Sequence, residues 1–231
     1  MKHLAVIMDG NGRWGMSHGG HRLLGHREGA GKVAEIVEGA AERGIEYLSL
    51  YAFSTENFRR SAEEVKGIFD LMSECILDKR LDDLIEKYSL KMRVAGDFTR
   101  IPQPLLSQLA ELMKKSEANT GMTVVLCIAY GGEEEITNAF NIIFRNRLMS
   151  MNGEPITIEE IRDHLYTANI PNPDVLVRYG GEYRFSNFLP LQCVYSELMF
   201  LDKLWPDFEK SDLDKILSDF AARKRRFGRE E

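Results

Sequence analysis

The chain has 231 residues, of which 44% are hydrophobic and 29% charged, and its net charge is −6. That length suits one large domain over residues 1–231 with a core that needs no staples. The negative balance excludes general nucleic-acid binding, because a duplex binder must neutralise phosphates. The three cysteines, Cys75, Cys127 and Cys193, lie far apart in apolar stretches. Without CxxC spacing they read as buried, reduced thiols of a cytoplasmic protein, not as a disulfide or zinc framework. There is no basic, apolar leader, and no apolar stretch approaches the ~20 residues of a membrane span. The expected protein is soluble, with at most a peripheral membrane contact.

The predicted elements alternate. Residues 3–8 (HLAVIM) read as a buried strand that ends at a loop, Asp9-Gly10-Asn11-Gly12. Val33, Ile36, Val37, Ala40 and Ala41 recur at helical spacing within residues 26–43, and Gly44 supplies the stop. Residues 45–53 form a second strand and 54–61 a polar loop. One long helix follows over 62–88, its apolar stripe running from Ile68 to Ile85. Further strands fall at 90–95, 122–129, 175–178 and 195–201, and further helices at 104–118, 134–149, 158–165 and 212–226. This is an α/β domain with a central six-stranded, mostly parallel sheet flanked by helices.

Ligands of such sheets sit beyond the carboxyl ends of the strands. Asp9-Gly10-Asn11-Gly12-Arg13-Trp14 follows the first strand and Ser54 to Arg60 the second. Arg178 ends the fifth, before Gly180, Gly181, Arg184 and Ser186. Glycines let backbone N–H groups approach a phosphate, and arginines match its oxygens. Taken singly, Asp9 fits a turn, His26 a structural histidine, Arg178 and Arg184 ion pairs, and Trp14 and Phe58 packing. Together, arginine-bearing loops at one edge imply a site for two diphosphates.

Competing motifs fail. Gly29-Ala30-Gly31-Lys32 lacks the first glycine and the Ser/Thr of a P-loop, since His26 and Val33 stand there. Gly10, Gly12 and Gly15 approach a dinucleotide fingerprint, but Arg13 and Trp14 fill the space it needs. Asp82-Asp83-Leu84-Ile85-Glu86 occurs once and reads as a solvated helix face.

The residues carry a resemblance. HLAVIMDGNGRW (3–14), GHREG (25–29), FSTEN (53–57), RYGGE (178–182), SNFL (186–189), LWPDF (204–208) and RRFG (225–228) are similar, in order, to the cis-prenyltransferases of the undecaprenyl diphosphate synthase-like family. The resemblance implies a magnesium-dependent homodimer that condenses an allylic prenyl diphosphate with isopentenyl diphosphate, with an apolar tunnel for the growing chain. It implies that Asp9 holds Mg2+ and diphosphate. Gly10, Asn11, Gly12, Arg13, Trp14, Arg22 and His26 cradle the allylic diphosphate. Asn57 and His26 stand near the reacting centre, and Ser54 assists. Arg60, Phe58, Arg178, Arg184 and Ser186, with Arg226 and Gly228 of the C-terminal RxG, hold isopentenyl diphosphate. Glu197 resembles a second acidic metal residue that comes from the partner subunit.

The chain departs from the family pattern at Tyr179, Phe58, Ala129, Glu133 and Pro190-Leu191. Tyr179, bulky and expected beside the isopentenyl site, leaves head-to-middle condensation or prenylation of an alcohol open. A non-catalytic subunit of a two-protein enzyme would lack Asp9 or the first glycine loop, and both are intact.

Overall fold

The computed structural model describes residues 1–151 and 153–223. Six strands form one sheet: β1 (His3–Ile7), β2 (Tyr47–Ser54), β3 (Lys91–Ala95), β4 (Thr123–Tyr130), β5 (Val175–Arg178) and β6 (Glu197–Phe200). The order is β3-β4-β2-β1-β5-β6 and every pairing is parallel, so the expected "mostly parallel" becomes wholly parallel. The helices are α1 (Asn11–Gly19), α2 (Arg22–Glu42), α3 (Ala62–Ile76), α4 (Lys79–Tyr88), α5 (Gln103–Lys115), α6 (Gly132–Ser150), α7 (Ile158–Asp163) and α8 (Lys210–Ala222).

The sheet is buried on both faces, and its period of two divides the core. Leu4, Val6, Leu48, Leu50, Val175, Val177 and Tyr179 join one cluster with Ile36, Val37 and Leu213. Ala5, Ile7, Val125, Cys127 and Leu176 join another with Phe188 and Leu189. Ile7 of β1 pairs with Tyr51 on one side and Arg178 on the other. Asp9, Ser54 and Arg178 therefore emerge at the same edge, and β1 is the strand from which the order runs out both ways. That is the crevice where such sheets bind ligands.

Three sequence expectations change. Residues 11–19 are helical, not a loop, and α2 begins at Arg22. Glycine is a poor helix former, but here it permits close packing: a Cβ on Gly25 would lie 1.8 Å from the Asn11 carbonyl oxygen, and one on Gly15 2.4 Å from that of His21. Tertiary contact between α1 and α2 outweighs local propensity. The helix expected over 62–88 is two, because Asp78 caps α4 by accepting the Arg80 N–H at 2.8 Å. Its apolar stripe continues across the break and conceals it. Of the cysteines, Cys127 and Cys193 are buried, whereas Cys75 is half-buried. The last part of the helix expected over 212–226, with Arg226 and Gly228, lies outside the described residues. Asp82 is paired with Lys115 on the surface, as a solvated face requires. Among the described residues no helix is long and apolar enough to cross a membrane.

Candidate active site

Asp9 follows β1 and turns at Gly10, whose φ of 107° lies in the region that glycine tolerates. The Asp9 Oδ1 accepts the Gly10 N–H at 2.6 Å, and Oδ2 accepts from Arg178 Nη2 at 2.8 Å. Arg13, one turn on, stands 3.6 Å from Oδ2. Arg178 ends β5 with only 4% of its side chain exposed. Its Nη1 donates to the Arg184 carbonyl at 2.6 Å and to Ser186 Oγ at 2.7 Å, while its Nε is buried without a partner among the described residues. The adjacent strands β1 and β5 thus join the first loop to the last.

A second cluster forms where α2 meets α3, around Glu64. Arg22 Nε donates to its carboxylate at 3.1 Å, Arg60 Nη1 at 3.1 Å, and His26 Nε2 lies at 3.3 Å. Arg22 also lies over Gly12, where a Cβ would sit 2.6 Å from its guanidinium carbon. Burial pulls the His26 pKa down and Arg60 adds to this, so the ring is neutral near pH 7. Burial pushes Glu64 up, but Arg22, Arg60 and His26 more than offset it, and the carboxylate stays ionised. Arg13, Arg22, Arg60 and Arg178 face Asp9 and Glu64; four positive charges less two negative leave two positive. This is an environment for a polyanion. Glu64 escaped sequence analysis: Ser61-x-x-Glu64 reads as a helix start, which it is, with Ser61 Oγ accepting the Glu64 N–H. Only the fold reveals the arginines around it.

Below the clusters, an apolar cavity of about 150 Å³ runs between the sheet and helices α2 and α3. Asn11 and His26 line one end, Val33, Ile68, Leu71 and Met72 the walls, and Asp78 and Arg80 the end at the α3–α4 break. Ala52 and Val124 line it from the sheet, and so does Cys75.

Other predicted residues are placed differently. Arg60, expected beside Arg178, stands with Arg22 and His26. Ser54 and Asn57 bond to each other: Asn57 Oδ1 accepts the Ser54 N–H, and Ser54 Oγ the Asn57 N–H, both at 3.2 Å, capping the 3-10 turn Thr55–Arg59. Trp14 is turned to Asp207, which accepts its Nε1–H at 2.7 Å, and stacks on His18. Phe58 packs on Phe53 and Phe69 beneath Arg100. The Arg184 side chain is exposed and paired with Glu182. Glu197 begins β6 at the amino end of the sheet and pairs with Arg223, so one chain does not bring it to Asp9. Tyr179 does not face the Arg178 site. Being one residue on, it points to the opposite face, packs edge-on against Trp205 and donates to Asp212 at 3.4 Å.

The chain is similar to known proteins over nearly its whole length. Residues 7–228 match the prenyltransferase family described as "Putative undecaprenyl diphosphate synthase". The isoprenyl transferase of Porphyromonas gingivalis is 39% identical over 229 residues, 99% of this chain and 89% of its own length. The Micrococcus luteus ditrans,polycis-undecaprenyl-diphosphate synthase, (2E,6E)-farnesyl-diphosphate specific, is 40% identical over 98% of this chain and 91% of its own. Lavandulyl diphosphate synthase from Lavandula x intermedia, solved with dimethylallyl diphosphate, superposes with a TM-score of 0.94 at 32% identity, covering 99% of this chain and 98% of that one. A probable undecaprenyl diphosphate synthase from Campylobacter jejuni gives 0.81 at 29%, covering 99% of each chain. Matching the family model over residues 7–228 and these relatives over nearly its whole length, the chain belongs to the undecaprenyl diphosphate synthase family of prenyltransferases.

Proposed function

We propose that this prenyltransferase condenses an allylic prenyl diphosphate with isopentenyl diphosphate, head to tail, into a longer polyprenyl diphosphate. The observation that carries the reading is the coupling of two arginine clusters, around Asp9 and Glu64, to one apolar cavity. The arginines suit two diphosphate heads, and the cavity suits a hydrocarbon tail.

In this reading Arg13, Arg22, Arg60 and the start of α1 at Gly10, Asn11 and Gly12 hold the allylic diphosphate, and Arg178 and Ser186 hold isopentenyl diphosphate. The allylic C–O bond breaks, and the guanidiniums receive the charge that develops on the leaving diphosphate, where fixed donors act most strongly. The isopentenyl double bond then attacks the allylic carbon and a proton is lost. Holding both heads makes the encounter effectively intramolecular, an advantage of about 7–11 kcal/mol in favourable cases. The Asn57 side chain is engaged in a cap, so a diphosphate oxygen is the better-supported proton acceptor than a relay through Asn57 and His26.

Magnesium fits the donor set. Asp9 is a hard oxygen donor with about a third of its side chain exposed, and the described residues contain no group of three or more His, Cys, Asp or Glu to form a cage. One carboxylate with substrate oxygens and water is the usual way this ion is held, and its charge supports departure of the diphosphate. Glu197 serves such a site only from the partner subunit of a homodimer. We place the enzyme in the cytoplasm, with a peripheral membrane contact at product release.

A second reading, joining the units head to middle, is favoured by the closer superposition on lavandulyl diphosphate synthase, 0.94 against 0.81. Product analysis decides between them. The protein would be incubated with magnesium, isopentenyl diphosphate and dimethylallyl, geranyl, farnesyl or geranylgeranyl diphosphate, and products identified by mass spectrometry and NMR. A ladder of cis-linked chains is expected. A branched product, or one formed without isopentenyl diphosphate, selects the second reading. No product with any donor overturns both.

A further inference from the structure

Tyr179 is one of the positions at which the chain departs from the family pattern. It is 1% exposed, on the face of the sheet that packs on α2 and α8. Its ring stands edge-on to Trp205, with centroids 5.3 Å apart, and to Phe208 at 6.1 Å, and those two rings stack on each other at 5.2 Å. Such a cluster is close-packed, so each ring fixes the place of the next. The hydroxyl is the lesser part of the side chain. It donates to Asp212 Oδ2 at 3.4 Å, and the same oxygen already accepts from Lys203 Nζ and the Glu209 N–H, each at 3.1 Å.

Trp205 carries the consequence into the site. It is 1% exposed, its Nε1–H donates to the Gly29 carbonyl of α2 at 2.8 Å, and its backbone N–H donates to the Asp9 carbonyl at 2.9 Å. The fit against α2 is close: a Cβ on Gly29 would lie 2.8 Å from Trp205 Cδ1. Gly29 and Trp205 both line the apolar cavity, and Gly29 follows His26 by one turn of α2, so they stand at its end beneath the arginines. Tyr179 touches the indole from outside the cavity. For a bound tail, Trp205 is the wall and Tyr179 is what stands behind it. The space so bounded is small: its 150 Å³ is about the size of an engineered cavity that takes benzene.

From this geometry we infer that Tyr179 is a positioning residue that sets donor specificity: by holding Trp205 against Gly29 it keeps the head of the cavity narrow and favours allylic donors of one or two five-carbon units over longer ones. The inference rests on the proposed seating of the allylic tail in this cavity.

The test measures kcat/KM of the full chain, with magnesium and saturating isopentenyl diphosphate, for dimethylallyl, geranyl, farnesyl and geranylgeranyl diphosphate. A ratio between donors is the readout, because a loss of folded protein lowers the rate with every donor alike. The unmodified protein is expected to use geranyl diphosphate at least about tenfold better than geranylgeranyl diphosphate. Tyr179→Thr removes the ring, Trp205 relaxes into part of the space, and the geranylgeranyl-to-geranyl ratio should rise about tenfold. Tyr179→Phe keeps the ring and should leave that ratio within about twofold. If Tyr179→Thr does not fold, Tyr179→Leu, which loses the ring but stays apolar, is expected to shift the ratio in the same direction. An unchanged ratio in the folded Thr or Leu variant, an equal shift in the Phe variant, or an unmodified protein that prefers the longest donor overturns the inference. No product with any donor instead overturns the reading on which it rests.

Discussion

Arg22 and Arg178 each bring a guanidinium to the site beyond the carboxyl edge of the sheet, but from unlike supports. Arg22 opens a 21-residue helix that packs on α1 through glycines, and its charge is already met by Glu64. Arg178 is threaded into a loop of positive-φ residues and meets carbonyls, a hydroxyl and Asp9. The first side is regular backbone made possible by missing side chains. The second is irregular backbone held by buried polar bonds. The cost of a change therefore differs: on the first side it is steric, on the second it lies in hydrogen bonding and conformation.

Breaking the junction between the two sides has the largest expected effect. Asp9→Ala removes the acceptor of Arg178 and the proposed metal donor, and kcat/KM should fall by more than about a hundredfold with the far-ultraviolet circular dichroism unchanged. Normal turnover in that variant would sink the functional assignment. On the regular side, Gly25→Ala places a methyl 1.8 Å from a carbonyl that cannot step aside. Overpacking of this kind should cost about 3 kcal/mol, read as a lowered urea midpoint. An unchanged midpoint would mean that the α1–α2 contact is loose.

Away from both, the amino end of β1 carries a pH liability. His3 is 1% exposed, with its ring nitrogens against the Pro171 carbonyl at 2.6 Å and Ser49 Oγ at 2.8 Å. Burial pulls its pKa from 6.5 to about 4. A depressed folded value means that the unfolded chain binds the proton first. The neutral ring's contribution is complete above pH 6.5 and is lost as the pH falls toward 4. Denaturation at stepped pH should show about 2–3 kcal/mol of this loss in the unmodified protein and not in His3→Leu. Parallel curves for the two proteins would exclude it. The smallest effect belongs to the irregular side. The Arg184 side chain is exposed and, among the described residues, paired only with Glu182, although its carbonyl is structural. Arg184→Ala should raise the isopentenyl diphosphate KM about tenfold or less, and a change confined to the allylic substrate would reverse the division of the two sites.

The sequence alone determined the strand–helix alternation, the mostly parallel sheet and the strand ends that carry Asp9, Ser54 and Arg178. Periodicity and turn residues are local, and parallel strands in crossover units place their carboxyl ends at one edge. Tyr179 shows the limit of such reading. Adjacent in sequence to Arg178, it belongs to the other face because a strand alternates. Helix α1 was hidden because its stability comes from contact with α2 and not from its own residues, and the break at Leu77 because the apolar stripe continues across it and conceals the cap at Asp78. Glu64 and Glu135 were indistinguishable from surface acids by type and spacing. Only the tertiary structure decided that one lies among three cationic or polar partners and the other accepts from buried Tyr130 and Gln192, because burial and long-range hydrogen bonding are properties of the assembled chain.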